Sequence, residues 1–182
     1  MKINETELDG CWIIEPKRFE DDRGYFYESF NLIDFQQKTN QIVSFVQDNQ
    51  SLSNYGVIRG LHAQKEPFAQ AKLVRVVRGK VLDVIVDVRE NSPTFGQHFS
   101  VELSEFNHKQ LFIPKGFLHG FSVLSEQAIF LYKCDEYYHA DQEYGVRFDD
   151  IDLQIDWKIP TEEIIISEKD RQLPMFKEVF KL

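Results

Sequence analysis

The sequence predicts an all-β protein, an antiparallel sandwich or barrel with only short peripheral helices. Three observations carry that expectation. Short β-rich runs follow one another at regular spacing through the middle of the chain, with turn residues between them. Helix-period patterning is almost absent. Aromatic residues are abundant, with 16 Phe among 182 residues, and Gly and Pro punctuate the runs.

In chain order, residues 3–15 alternate loosely and read as an N-terminal strand region. Asp21-Asp22-Arg23-Gly24 is a turn signal. It feeds a β-rich run over 25–30. Asn31 can cap a short helix over 32–38, whose Leu32, Ile33 and Phe35 lie near one face. A strand is expected over 43–49. The run 73–77 ends at Arg78-Gly79-Lys80, which reads as a tight hairpin turn, and 81–88 returns from it. Strands follow over 98–103, 110–113, 120–124 and 128–134. The C-terminal part is looser, with a polar turn at 167–170 and a short terminal helix at 175–180.

Strand alternation sorts the side chains. In the run 81–88, Leu82, Val84, Val86 and Val88 form one wholly apolar face, and Val81, Asp83, Ile85 and Asp87 form the other. Two carboxylates on one face are costly to bury unless paired or wet, so that face is expected to look into a polar cavity. Tyr132 shares a face with Phe130 and Cys134, and Lys133 points the other way.

The length fits one domain, large enough for a core without metal or disulfide staples. A formal charge of −9 argues against a nucleic-acid footprint, although local basic clusters can hold a small anion. Cys11 and Cys134 form neither a metal pattern nor a disulfide framework and read as two reduced thiols. The polar start lacks a signal-peptide core, and no apolar run reaches membrane-span length. The expected location is the cytoplasm.

The chemistry-bearing residues cluster in two stretches. Gly56-Val57-Ile58-Arg59-Gly60-Leu61-His62-Ala63-Gln64 is followed closely by Lys72, and Pro114-Lys115-Gly116-Phe117-Leu118-His119-Gly120-Phe121 is followed by Tyr132. Taken singly, each also fits an ordinary role: His62 a hydrogen-bonded structural histidine, Lys72 a solvated strand lysine, Arg59 a surface residue, Tyr132 a core aromatic, Asp170 a turn residue. Together they offer a titratable base, a cation for a developing oxyanion and a proton donor. The second stretch resembles the second motif of cupins. The first motif of metal cupins carries His-x-His and a Glu; here only His62 stands there, with Lys72 near the acid's place. A protonated ammonium cannot ligate, so no metal is expected.

Over nearly its whole length the chain resembles the dTDP-4-dehydrorhamnose 3,5-epimerase family. The matching stretches include Asp22-Arg23-Gly24-Tyr25-Phe26-Tyr27-Glu28, Val46-Gln47-Asp48-Asn49-Gln50-Ser51, Ile58-Arg59-Gly60-Leu61-His62, Gln70-Ala71-Lys72-Leu73-Val74, Leu131-Tyr132-Lys133-Cys134 and Ser167-Glu168-Lys169-Asp170. The resemblance implies a cupin-like jelly-roll barrel, a homodimer, no cofactor and a dTDP-linked 4-keto-6-deoxy sugar as substrate. It divides the single domain into an N-terminal strand region contributing to the dimer (about 1–50), a barrel core (about 51–135) and a C-terminal extension (about 136–182). By position it makes His62 the base, Asp170 its partner, Lys72 the enolate stabiliser and Tyr132 the acid. Arg59 and His119 are placed near the diphosphate, and Gln47, Asp48, Asn49, Glu143 and Lys169 among other substrate contacts. Arg23, Phe26 and Glu28, with Phe19 as a weaker candidate, are placed across the dimer interface. Ala63 stands where the family usually has an aromatic, which predicts extra room near the sugar. The alternatives are a C3-only or C5-only epimerase and a non-catalytic nucleotide-sugar-binding cupin.

Overall fold

The computed structural model describes residues 1–180. The strands are β1 (Lys2–Glu5), β2 (Trp12–Glu15), β3 (Arg18–Asp21), β4 (Gly24–Tyr27), β5 (Gln47–Asn54), β6 (Ile58–Gln64), β7 (Lys72–Arg78), β8 (Lys80–Asp87), β9 (His98–Ser104), β10 (Gln110–Ile113), β11 (Phe117–Val123), β12 (Gln127–Cys134) and β13 (Glu143–Gly145). Three short helices are α1 (Leu32–Thr39), α2 (Glu168–Arg171) and α3 (Phe176–Val179).

Two antiparallel sheets face each other as a cupin-like jelly roll. One has the order β1-β2-β10-β7-β12-β5, the other β13-β6-β11-β8-β9, and β3–β4 forms a separate hairpin. The inner faces contribute Val74, Val76, Val81, Ile85, Leu103, Leu111, Phe117, Phe121 and Phe130 to the barrel core. The outer face of the second sheet is covered by the C-terminal extension: Leu82, Val84 and Val86 pack with Val146, Leu153, Trp157 and Phe176. Helix α1, capped by the Asn31 side chain, seals the outer face of the first sheet with Phe35 against Phe112. The two apolar faces and the polar-lined interior follow from period-2 alternation.

Several expectations are corrected. Arg78-Gly79-Lys80 is tight but is no hairpin, because β7 and β8 belong to different sheets. The turn carries the chain across the barrel, held by Glu105 and Ser125, which accept the Gly79 and Lys80 amides. The strand expected over 43–49 starts at Gln47 and runs to Asn54, since its register follows all eight residues of β12. Its sequence is polar because it is an edge strand. The polar turn at 167–170 is the capped start of α2. Asp83 does face the interior, but Asp87 does not look into a cavity. Arg89, Ser92 and Thr94 donate to its carboxylate at the barrel end. Of the expected C-terminal extension, residues 181 and 182 lie outside the described residues. Among the described residues no helix is long and apolar enough to cross a membrane.

Candidate active site

The barrel interior opens into two adjoining lobes. The larger, about 520 Å³, is bordered by Arg59, His119, Phe121, Phe130, Lys169 and Asp170 among others. The smaller, about 270 Å³, is bordered by Gln47, Asn49, Gln70, Tyr138 and Glu143. His62, Lys72 and Tyr132 border both lobes and therefore stand at their junction.

Arg59 and His62 are three residues apart, and regular alternation would send them to opposite faces. A register shift in the β6–β11 pairing, between His119 and Phe121, restores them to the same face. Gly60 makes the shift possible: its φ is +110° and a Cβ there would lie 2.6 Å from the His119 carbonyl oxygen. His62 then stands opposite His119 across the ladder, and Arg59 opposite Phe121.

Asp170 reaches His62 from 108 positions away in the chain. Mutual hydrogen bonds between the strand edge and the extension (Ile58 N–H to the Ile165 carbonyl, Ile165 N–H to the Gly56 carbonyl) fix the approach of α2. The Ser167 hydroxyl accepts the Asp170 amide as its N-cap. Asp170 Oδ1 lies 2.8 Å from His62 Nε2. Burial alone would raise the Asp170 carboxyl, but the His62 bond and charge, with help from the Gly60 amide and Ser167, hold it below its ordinary value. Asp170 is thus ionised at neutral pH, and its bond to Nε2 leaves Nδ1 as the basic atom.

Lys72, at the start of β7, points inward beside Tyr132, with Nζ 5.9 Å from the ring centroid. Burial lowers its ammonium from the ordinary value, opposed by the nearby Asp83 and Glu143 carboxyl groups. Burial likewise raises the Tyr132 hydroxyl, which keeps it protonated and able to donate. His119 is nearly buried, and its Nε2 lies 3.0 and 3.2 Å from the two oxygens of Asp83, which is fully buried. Burial raises the Asp83 carboxyl despite His119 and Lys72. Arg59 Nε donates to Ser53 Oγ at 3.0 Å. Lys169 donates to Glu143 Oε2 at 2.7 Å.

The fold thus gathers His62, Lys72, Tyr132, Asp170, Arg59, His119, Gln47, Asn49, Glu143 and Lys169 around one cavity. Asp48 is not among them: alternation turns it to the outer face of β5, where Lys133 pairs with it at 2.9 Å. Arg23, Phe26, Glu28 and Phe19 lie away from the cavity of their own chain. Arg23 is paired with Asp21, Glu28 accepts from Asn31, and Phe19 and Phe26 are 55% and 70% exposed on the hairpin. Ala63 stands opposite Tyr144 on β6 and packs with the outer core, and it also borders the smaller lobe. Asp83, on the inward face that strand alternation predicts, meets the site through His119. Tyr138 borders the smaller lobe from irregular chain after β12, where no local pattern marks it. Among the described residues no three His, Cys, Asp or Glu side chains converge where they could hold a metal ion.

Comparison with known proteins decides the family. The profile of the dTDP-4-dehydrorhamnose 3,5-epimerases matches residues 5–178. The chain belongs to this family. It is therefore an isomerase of the epimerase type. Among similar proteins, the dTDP-4-dehydrorhamnose 3,5-epimerase of Methanothermobacter thermautotrophicus is 50% identical over 175 residues, covering 96% of this chain and 94% of the relative. The crystal structure of the Elizabethkingia anophelis NUHP1 epimerase superposes with a TM-score of 0.95 at 55% identity, covering 98% and 97% of the two chains. The Legionella pneumophila Philadelphia 1 epimerase, solved in complex with dTDP-4-keto-L-rhamnose, gives a TM-score of 0.94 at 46% identity, covering 98% and 94%.

Proposed function

We propose that the protein inverts C3 and C5 of dTDP-4-dehydro-6-deoxy-D-glucose to give dTDP-4-dehydro-L-rhamnose, a step of dTDP-rhamnose biosynthesis. The observation that carries this reading is the meeting of His62, Lys72 and Tyr132 at the junction of the two lobes. The Legionella relative's bound dTDP-4-keto-L-rhamnose supports the substrate class.

The C4 ketone acidifies the hydrogens on its two neighbours, C3 and C5. His62 removes one as a proton through Nδ1, while Asp170 holds Nε2–H and balances the imidazolium. The electron pair moves onto the carbonyl oxygen, and the Lys72 ammonium stabilises that enolate. Tyr132 returns a proton from the other side, and repetition at the second carbon completes the reaction. Each positioned acid or base contributes roughly 10²–10⁴-fold. Arg59 and Lys169, beside the larger lobe, supply cationic partners for the diphosphate.

The exposed aromatic hairpin suits a homodimer in which Arg23, Phe26 and Glu28 reach the nucleotide of a second copy. A stable, fully active monomer in analytical ultracentrifugation at micromolar concentration would exclude that arrangement.

Incubation with dTDP-4-keto-6-deoxyglucose in deuterated water, followed by NMR, tests the reaction. Label is expected at both C3 and C5. Label at one carbon would mean a mono-epimerase, and binding without exchange would mean a nucleotide-sugar-binding protein.

A further inference from the structure

We infer that Glu143 is a positioning residue for the base, a carboxylate held just short of His62 Nδ1 that stabilises the imidazolium formed during abstraction and does not ligate the sugar. This deepens the reading above and rests on His62 being the base. Glu143 Oε1 lies 3.6 Å from His62 Nδ1, beyond hydrogen-bond reach but within strong Coulomb range. Its other oxygen is taken: Tyr138 Oη donates to Oε2 at 2.6 Å and Lys169 Nζ at 2.7 Å. The Glu143 side chain is only 13% exposed. Its strand reaches this place because Gly145 lies against β6, where a Cβ would stand 2.1 Å from the Leu61 carbonyl oxygen.

The imidazole therefore lies between two unequal carboxylates, Asp170 in contact with Nε2 and Glu143 held off Nδ1. Contact on both sides would cap the lone pair that must take the proton. Tyr138 and Lys169 prevent it by anchoring Glu143 from behind. Burial would raise the Glu143 carboxyl, but Lys169, Tyr138 and His62 more than offset it, so the carboxylate is charged at neutral pH.

The groups around His62 are Asp170 and Lys169 from α2, Glu143 from β13, Lys72 from β7 and Tyr132 from β12. Tyr138 comes from the segment after β12, Arg59 from the same strand, and the His119–Asp83 pair from β11 and β8. Among the described residues only Glu143 faces Nδ1 at salt-bridge distance. In the step, the C–H bond breaks and Nδ1–H forms, and the electron pair passes to the ketone oxygen near Lys72. The new positive charge then faces both carboxylates.

The test compares Glu143→Gln, Lys169→Met and the double variant by kcat, KM and the pH profile of kcat/KM, with His62→Asn as control and thermal melts to confirm folding. Glu143→Gln is expected to lower kcat about tenfold, leave KM within about twofold, and move the acidic limb about one unit to lower pH. Lys169→Met frees the carboxylate to close on Nδ1, so its acidic limb moves to higher pH. The double variant returns to the Glu143→Gln position. A rise in KM in Glu143→Gln, with the acidic limb unmoved in both single variants, would make Glu143 a substrate ligand and overturn the inference. Persistent exchange in His62→Asn would instead overturn the base assignment beneath it.

Discussion

The protein holds two histidine–carboxylate pairs facing each other across one ladder, and they are tuned in opposite directions. In the His62–Asp170 pair, at 2.8 Å, the imidazole is 25% exposed at the junction of two lobes, and the carboxyl is held below its ordinary value. In the His119–Asp83 pair, at 3.0 Å, both members are buried and the carboxyl is raised by desolvation. Similar partners and distances thus give an ionised orienter in one case and a carboxyl pressed towards its neutral form in the other. What differs is access to water and the supply of further donors: Asp170 also faces the Gly60 amide and the Ser167 cap, whereas Asp83 has His119 and the more distant Lys72 charge. We read the first pair as the proton-abstracting unit and the second as a structural and binding element.

The largest expected effect separates the pairs by kinetics. Asp170→Asn removes the group that fixes the base and balances its imidazolium, and kcat is predicted to fall roughly 10²–10⁴-fold. Asp83→Asn, which keeps a partner for His119, is predicted to lower kcat/KM on the order of tenfold, mainly through KM. Steady-state kinetics on both variants checks this, and equal losses in kcat would erase the distinction.

A smaller effect separates them by stability. Asp170 has a depressed carboxyl, so its contribution is present above the ordinary aspartate value of 3.8 and is lost as pH falls through the lower folded value. Asp83 has a raised carboxyl, so the wild type loses stability from this group as pH rises above 3.8 through the folded value. Thermal melts from pH 3 to 8 are therefore expected to show opposite trends, of order a few degrees. The deficit of Asp170→Asn opens as pH rises to about 4 and then stays level. Asp83→Asn improves relative to wild type as pH rises further. Parallel trends would contradict the opposite tuning.

The smallest expected effect is none at all. Neither imidazole belongs to a set of three potential metal ligands among the described residues. Exhaustive chelation is therefore expected to leave turnover unchanged. Loss of activity restored by one metal ion would show that a pair serves as a ligand set.

Much of the barrel was legible because alternation in the middle strands is strong: the apolar face of β8, the inward Asp83 and the face shared by Tyr132 and Phe130 all followed from period 2. What was not legible depended on partners distant in sequence. The polar edge strand β5 takes its limits from β12, and the turn at Gly79 reads like a hairpin although its strands join different sheets. The shared face of Arg59 and His62 depends on a register shift that alternation alone would deny. Asp170 was reached by resemblance, since nothing local connects it to His62. Asp48 shows the converse: alternation on β5 turns it away from the Gln47 and Asn49 beside it.

The most direct test of the two-sided mechanism is Tyr132→Phe in deuterated water, with exchange and epimerisation followed together by NMR. The substitution keeps the ring packed against Phe130 and removes only the hydroxyl. His62, Asp170 and Lys72 remain, so the account predicts that label still enters the substrate. Inversion is predicted to slow roughly 10²–10⁴-fold, so exchange with retained configuration outruns epimerisation. Epimerisation at the wild-type rate would contradict the account by showing that the proton returns from another group.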